Sequence, residues 1–287
     1  MASTRVGFIG LGDMGKPMAK NLVGESFEAW VYDVAPAPVA ELAALGARAA
    51  ASPAELAAAC ELIGLCVRDD RDVESLLHGE GGILAHARPG TIIAVHSTVT
   101  QAGLMRWADE AAARGIHLID APVTRGRLGQ PPRFICYLVG GPAEVLERCR
   151  PVFETSAEAI IHAGPLGAGA ALKLCNNLIT NLEFAAMSEA MAIATRAGLS
   201  LEVLADVGRG NGVINERMLA FIGGRAKLAG QPEGSPAHGF FDAMGRLAEK
   251  DLDAAIDSAR ALGVPVPVTA FTRDRIHAIY LDRNTEA

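Results

Sequence analysis

Aromatic residues make up only 5 % of this 287-residue chain, and its five cysteines show no CxxC spacing. An odd, unpatterned set at Cys60, Cys66, Cys136, Cys149 and Cys175 argues against a disulfide framework and against a zinc site. These residues read as reduced, mostly buried thiols. The seven histidines are equally scattered, so no metal-ligand pattern is present. There is no basic run, and the formal charge is -7, which excludes nucleic acid and anionic membrane as main partners. No uncharged stretch, the one that ends at Lys173 included, reaches the ~20 residues that span a bilayer. The N-terminal "MASTRVGFIGLGDMG" is too interrupted by Gly and Asp to act as a secretory signal. A cytoplasmic protein free of membranes is expected, and a small anionic substrate would need local positive groups.

What the chain does have is apolar residues, 50 % of the total, enough for the cores of two domains. Short apolar runs at 5–10, 28–33, 61–67, 91–97, 116–122 and 134–141 read as strands. Alanine-rich helical segments lie between them, for example "SPAELAAAC", with Ser52 as cap and Pro53 at the first helical position. This alternation predicts an α/β domain with a doubly wound, mainly parallel sheet over 1–164. From 165 to 287 the strand signals stop and a mostly α-helical domain is expected. Its longest predicted helix runs over 169–198 and is closed by Gly198; another covers 244–263, and "AGQPEGSPAHG" (229–239) reads as a loop.

Gly10, Gly12 and Gly15 follow the first strand in G-x-G-x-x-G spacing and open a helix, in "GFIGLGDMGKPMAKNL". The first glycine permits a tight turn, the second lets a pyrophosphate approach the backbone, and the third lets helix and strand pack closely. Helix N–H groups then face the phosphates, so Leu11, Asp13 and Met14 join the glycines as candidate cofactor contacts. A tight strand–helix turn without a ligand is the plainer alternative. Asp33 ends the second strand, where a carboxylate can accept from ribose hydroxyls and repel a 2′-phosphate. The expected domain is Rossmann-type and its cofactor NAD, with NADP less favoured; capping of the following turn is the other role open to Asp33.

Lys173 sits in "GAGAALKLCNN" (167–177), among small and apolar residues. On a helix Lys173, Asn177 and Asn181 share one stripe, with Thr180 beside it. Spacing alone leaves open whether that stripe faces solvent or a ligand, although the small residues before Lys173 suggest a close approach of another surface.

Four blocks in order, "GFIGLGDMGKPMAKNL", "DAPVTRG" (120–126), "GPLGAGAALKLCNN" (164–177) and "KDLDAA" (250–255), make the sequence similar to the β-hydroxyacid dehydrogenases. That family contains 3-hydroxyisobutyrate, tartronate semialdehyde and 6-phosphogluconate enzymes. The resemblance implies that Lys173 is the catalytic acid/base and that Asn177 orients the substrate. A lysine is ordinarily protonated near neutrality, and desolvation beside a cationic nicotinamide would favour the neutral base. The resemblance further places Thr98 of "HST" beside the nicotinamide, Val67 and Arg68 near the adenosine, and Lys250 by the cofactor. Arg68 could equally be a solvated loop charge, and Lys250 an exposed helix residue.

In many relatives the second block ends Ser-Gly-Gly and holds the substrate carboxylate. Here the corresponding residues are Thr124, Arg125 and Gly126, and Arg125 adds a fixed charge that could pair with an anionic substrate group or face outward. Phe240 and Phe241 lie earlier than the family's usual aromatic position, which implies a different pocket wall. The implied reaction is hydride transfer between nicotinamide and a small anionic β-hydroxyacid or its semialdehyde or ketone. A homodimer or homotetramer is expected. An imine reductase shares the architecture but usually lacks a lysine at this position. A noncatalytic dinucleotide-sensing module would have little reason to keep Lys173, Asn177 and the Thr98 region together.

Overall fold

The computed structural model describes residues 3–24, 27–125, 132–228 and 230–283. By its contacts the chain divides into two units, Met1–Lys173 and Leu174–Ala287. In chain order the first unit contains β1 (Thr4–Ile9), α1 (Gly15–Lys20), β2 (Phe27–Tyr32), α2 (Pro36–Ala44), β3 (Arg48–Ala49), α3 (Pro53–Ala59), β4 (Leu62–Leu65), α4 (Asp70–Leu77), α5 (Ile83–His86), β5 (Ile92–Val95), α6 (Gln101–Ala112), β6 (His117–Asp120), β7 (Val123–Arg125), β8 (Ile135–Gly140), α7 (Ala143–Phe153) and β9 (Ala157–Gly164).

These strands form one sheet. β3, β2, β1, β4, β5 and β6 run parallel in that order, with the order reversing between β1 and β4. β6 and β7 align in turn along one edge of β8, antiparallel to it, and β9 pairs with β8 in parallel. The parallel strands have continuous apolar runs because helices cover both faces. One face packs Val6, Phe8, Val31 and Val139 with Met18, Leu42 and Phe153. The other packs Ile63, Leu65 and Val95 with Leu56, Leu104 and Trp107.

Ser52 caps α3 as its sequence suggests, with Oγ accepting the Glu55 N–H at 3.2 Å. Thr100 caps α6 in the same way, accepting the Gly103 N–H at 3.1 Å. Three strands carry too little apolar signal to be read from the sequence. β3 has two residues, β7 has three, and β9 is half-exposed along most of its length.

α8 (Ala168–Arg196) carries the chain from the first unit into the second. It ends at Gly198, where φ is +77° and the Leu199 N–H bonds back to Ala194 O, an αL termination suited to glycine. The second unit continues with α9 (Leu201–Asn211), α10 (Glu216–Leu228), α11 (Pro236–Ala261), α12 (Pro267–Arg273) and α13 (Ile276–Tyr280). Its core gathers Phe184, Met187, Phe221, Phe241, Leu252 and Tyr280.

The loop expected over 229–239 is shorter than its composition implies. Ser235 Oγ caps α11 at the His238 N–H, and Pro236 takes the first helical position, so the last four residues of that stretch are helical. Among the described residues no helix is long and apolar enough to cross a membrane.

Candidate active site

The dinucleotide loop is built by close backbone approach. Gly10 has φ +93°, and a Cβ there would lie 2.2 Å from Cys66 O; one on Gly15 would lie 1.9 Å from Gly10 O. Neither position accepts a side chain. Gly12 differs, because a Cβ on it would meet nothing within 4 Å. Its missing side chain leaves free space over the loop, as a pyrophosphate on the backbone requires. No side chain caps α1, whose N-cap residue is Met14; the Lys16 N–H donates to Gly12 O at 3.0 Å and Pro17 has no N–H, so the amides that can face an anion are those before Lys16. A groove of about 560 Å³ runs beside the loop past Leu11, Gly12, Asp13 and Lys16. The Gly10 N–H donates to Tyr32 O, and the Leu11 N–H donates to Asp33 Oδ2 at 2.6 Å.

Asp33 Oδ1 accepts the Ala35 N–H at 2.7 Å. Both carboxylate oxygens are thus oriented by main chain, and each keeps a further lone pair for a ribose hydroxyl. The turn-capping and ribose-binding roles of Asp33 are therefore compatible. The following residues are Val34, Ala35 and Pro36, none of which can pair with a phosphate.

The β4 and β5 ends are tied to each other. The Val67 N–H donates to Ser97 Oγ at 2.8 Å, and Asp70 accepts from the backbone and hydroxyl of Thr100. These contacts bring Val67 and half-buried Thr98 into one loop pair, at the carboxyl edge where the strand order reverses. Arg68 forms a two-pronged pair with Asp72, both contacts at 2.8 Å, and its side chain is exposed. His96, beside Ser97, points the other way. It is buried against Phe8, Tyr137 and Phe153, and Nδ1 bonds to Ala121 O at 2.9 Å. Desolvation pushes its pKa down to about 4, only partly opposed by that bond, so it is neutral and is no acid/base candidate near pH 7.

Asp120 ends β6 and is buried. It accepts the N–H groups of Gly167 and Ala170 at 2.7 Å each, serving the open start of α8 from 47 to 50 residues away. Burial raises its carboxyl above the ordinary range, against the lowering effect of those N–H donors. Gly169 fits under the same contact: a Cβ there would lie 2.1 Å from Leu138 O and 2.8 Å from Asp120 Oδ2. The small residues before Lys173 therefore let the first turn of α8 seat on the end of the sheet.

Lys173 follows Gly169 by four residues and shares its helix face. Its charge reaches the thiol of Cys136, lowering a pKa that burial otherwise raises. Cys136 is the cross-strand partner of Thr124, and directly opposed residues project from the same sheet face. Thr124 and Cys136 accordingly share a strand face, and the Lys173 charge acts on that thiol. Arg125 pairs with Ile135, and the pleat turns it to the opposite face from Thr124. Gly126 lies outside the described residues.

In the second unit Asn177 and Asn181 are 8 % and 4 % exposed, so their part of the stripe is buried rather than solvated. Asn177 Nδ2 donates to Asp251 Oδ2 at 2.8 Å. Asp251 is itself buried on α11, next to exposed Lys250. Asp120 and Asp251 were not singled out as sites in the sequence, since nothing local distinguishes a carboxylate that serves a distant helix or amide. Phe241 is buried in the helical core while Phe240 is exposed.

The sheet, its reversal point and the glycine loop define an NAD(P)-binding oxidoreductase domain. Residues 5–164 match the model for the NAD-binding domain of 6-phosphogluconate dehydrogenase, and 167–225 match the NAD-binding domain of NADP-dependent 3-hydroxyisobutyrate dehydrogenase. A 2-(hydroxymethyl)glutarate dehydrogenase from Eubacterium barkeri is 35 % identical, over 93 % of this chain and 86 % of its own. An NAD-dependent L-serine dehydrogenase from Pseudomonas aeruginosa is 34 % identical, over 92 % and 88 %. The solved structure of Mycobacterium tuberculosis 3-hydroxyisobutyrate dehydrogenase with L-serine matches with a TM-score of 0.81 at 30 % identity, over 99 % of this chain and 96 % of that one. The chain belongs to the 3-hydroxyisobutyrate dehydrogenase-like β-hydroxyacid dehydrogenase family, whose members are NAD(P)-dependent oxidoreductases acting on CH–OH groups.

Proposed function

We propose that this protein is an NAD-preferring dehydrogenase of β-hydroxyacids of the form HO–CH2–CH(R)–COO⁻, with Lys173 as its acid/base. The observation that carries the reading is the seating of α8. Asp120 and Gly169 hold its first turn against the sheet, and the Lys173 charge is felt at Cys136, beside Thr124. The three relatives support the substrate class, since 2-(hydroxymethyl)glutarate, L-serine and 3-hydroxyisobutyrate all contain this unit and differ in R.

The bound dinucleotide supplies the hydride acceptor or donor at its nicotinamide ring. Lys173 Nζ takes the alcohol proton during oxidation and returns it to the carbonyl oxygen during reduction. By family resemblance the Thr124 hydroxyl serves the substrate carboxylate, and the Asn177 carboxamide, fixed by Asp251, helps orient the substrate. Gly126 belongs to that carboxylate block by family resemblance, whereas Arg125 projects from the opposite strand face to Thr124. The Gly10–Gly15 loop and Asp33 bind the pyrophosphate and adenosine ribose, and Val67, Arg68, Thr98 and Lys250 complete the cofactor contacts. NAD is preferred because Asp33 would face a 2′-phosphate with no cation following it in the turn. A homo-oligomer assembled through the helical unit fits the exposed Ile193, Val203, Val207 and Val213.

The test is a panel of hydroxyacids, semialdehydes and imines with NAD and NADP, followed at the reduced-nicotinamide absorbance. The reading requires turnover of a β-hydroxyacid and a fall in kcat of about 10²–10⁴-fold in Lys173→Ala, with NAD affinity retained. Near-normal turnover in that variant would remove Lys173 from the mechanism.

A further inference from the structure

Lys173, Asn177 and Thr180 fall at i, i+4 and i+7 on α8 and define one stripe. Two of its neighbours in the second unit carry charge. Asp251 is engaged with Asn177 at 2.8 Å. Arg217, the second residue of α10, donates from Nη1 to Thr180 Oγ1 at 3.2 Å, while the Thr180 hydroxyl donates to Asn176 O at 3.0 Å. Burial chiefly raises the pKa of the Tyr280 hydroxyl, with Asp251 raising it further and Arg217 lowering it, so both charges act on the same hydroxyl.

The guanidinium is held there by a neutral hydroxyl, and no described carboxylate lies within ion-pair distance of it. Arg217 is exposed. Nε, Nη2 and the second Nη1 proton remain available, which is the planar fork that suits a carboxylate. Arg125, the other cation considered for such a role, projects from the opposite strand face to Thr124.

We infer that Arg217 is a specificity-determining residue that binds a second carboxylate on the substrate, carried by R. This rests on the proposed role of Lys173. Thr180 lies seven positions beyond Lys173 on the helix, about 10 Å along the axis. The second acid group should therefore sit several bonds from the alcohol carbon, as on a carboxyethyl arm, rather than next to it. The substrate class is a dianionic β-hydroxyacid whose far carboxylate reaches Arg217.

The experiment compares kcat/KM for a β-hydroxy dicarboxylate, 2-(hydroxymethyl)glutarate, with that for the monocarboxylate 3-hydroxyisobutyrate, in wild type, Arg217→Met, Arg217→Lys and Thr180→Val. The dicarboxylate-to-monocarboxylate ratio is expected to fall about 10- to 100-fold in Arg217→Met, mainly through KM. Arg217→Lys should recover part of it, because charge survives without the fork. Thr180→Val should give a smaller fall, since it removes only the group that steers the guanidinium. An unchanged ratio in Arg217→Met, or no preference for the dicarboxylate in wild type, overturns the inference while leaving Lys173 chemistry intact. A wild-type protein that oxidises no hydroxyacid overturns both readings.

Discussion

His96 and Asp33 lie just beyond the ends of β5 and β2, two strands of the one sheet, and have opposite consequences. His96 is neutral in the folded state, with a pKa near 4, against about 6.5 when unfolded. Between those values the unfolded chain holds a proton that the native chain does not, so stability is present above pH 6.5 and is lost as the pH falls toward 4. The full difference is about 3 kcal/mol at this one site. Urea midpoints measured from pH 7 to pH 4.5 should fall in wild type and fall less steeply in His96→Phe, whose ring can keep the stack on Phe8. A parallel decline in both proteins would assign the acid sensitivity elsewhere. Asp33 acts on cofactor choice instead. Replacing Asp33 with Gly and exposed Val34 with Arg removes a repulsive carboxylate and adds a phosphate partner. The ratio of kcat/KM for NADP to that for NAD should rise by at least about tenfold; a ratio that stays put would exclude Asp33 as the discriminator.

Among elements, α8 depends most on contacts that its own sequence does not reveal. Its length, its glycine stop and the stripe holding Lys173 could all be read from residues 164–198. The carboxylate that receives its first N–H groups comes from β6, and the carbonyl that forbids a side chain at Gly169 comes from β8. Local patterning has no access to either. The same limit explains β7 and β9, which are specified by pairing to β8 rather than by apolar periodicity. At the site, the glycine loop and Asp33 were legible as candidates because their chemistry is tied to residue type and spacing, whereas Lys173 became a candidate only through the family resemblance. Asp120, Ser97, Asp251 and Arg217 were not, because each acts across 30 or more residues. Gly169→Ala tests the seating directly. Its Cβ would collide with Leu138 O, and the helix start must shift, costing about 1–3 kcal/mol. Chemical denaturation should show that loss together with a lower kcat; full activity and stability would mean that the first turn is free to move.

For the molecule as a whole, the net charge of -7 gives a general field that disfavours anions, so the proposed anionic substrate would depend on a few placed cations. The apolar exposure is concentrated on the helical unit. Val203 and Val207 are 51 % and 60 % exposed, four residues apart on α9, and so share one face. If that face is covered by a second copy, Val207→Glu should shift the sedimentation coefficient toward a smaller species with little change in the unfolding of the isolated subunit. A wild-type protein that sediments as a monomer would leave the exposed valines with some other purpose.

The bond from the Val67 amide to Ser97 has a consequence for kinetics. A loop amide held by a partly buried hydroxyl opens only when two strand ends separate, so its deuterium uptake should lag behind that of the glycine loop even in cofactor-free protein. This loop pair would then be set before any dinucleotide arrives, leaving the glycine loop as the part that must settle on binding.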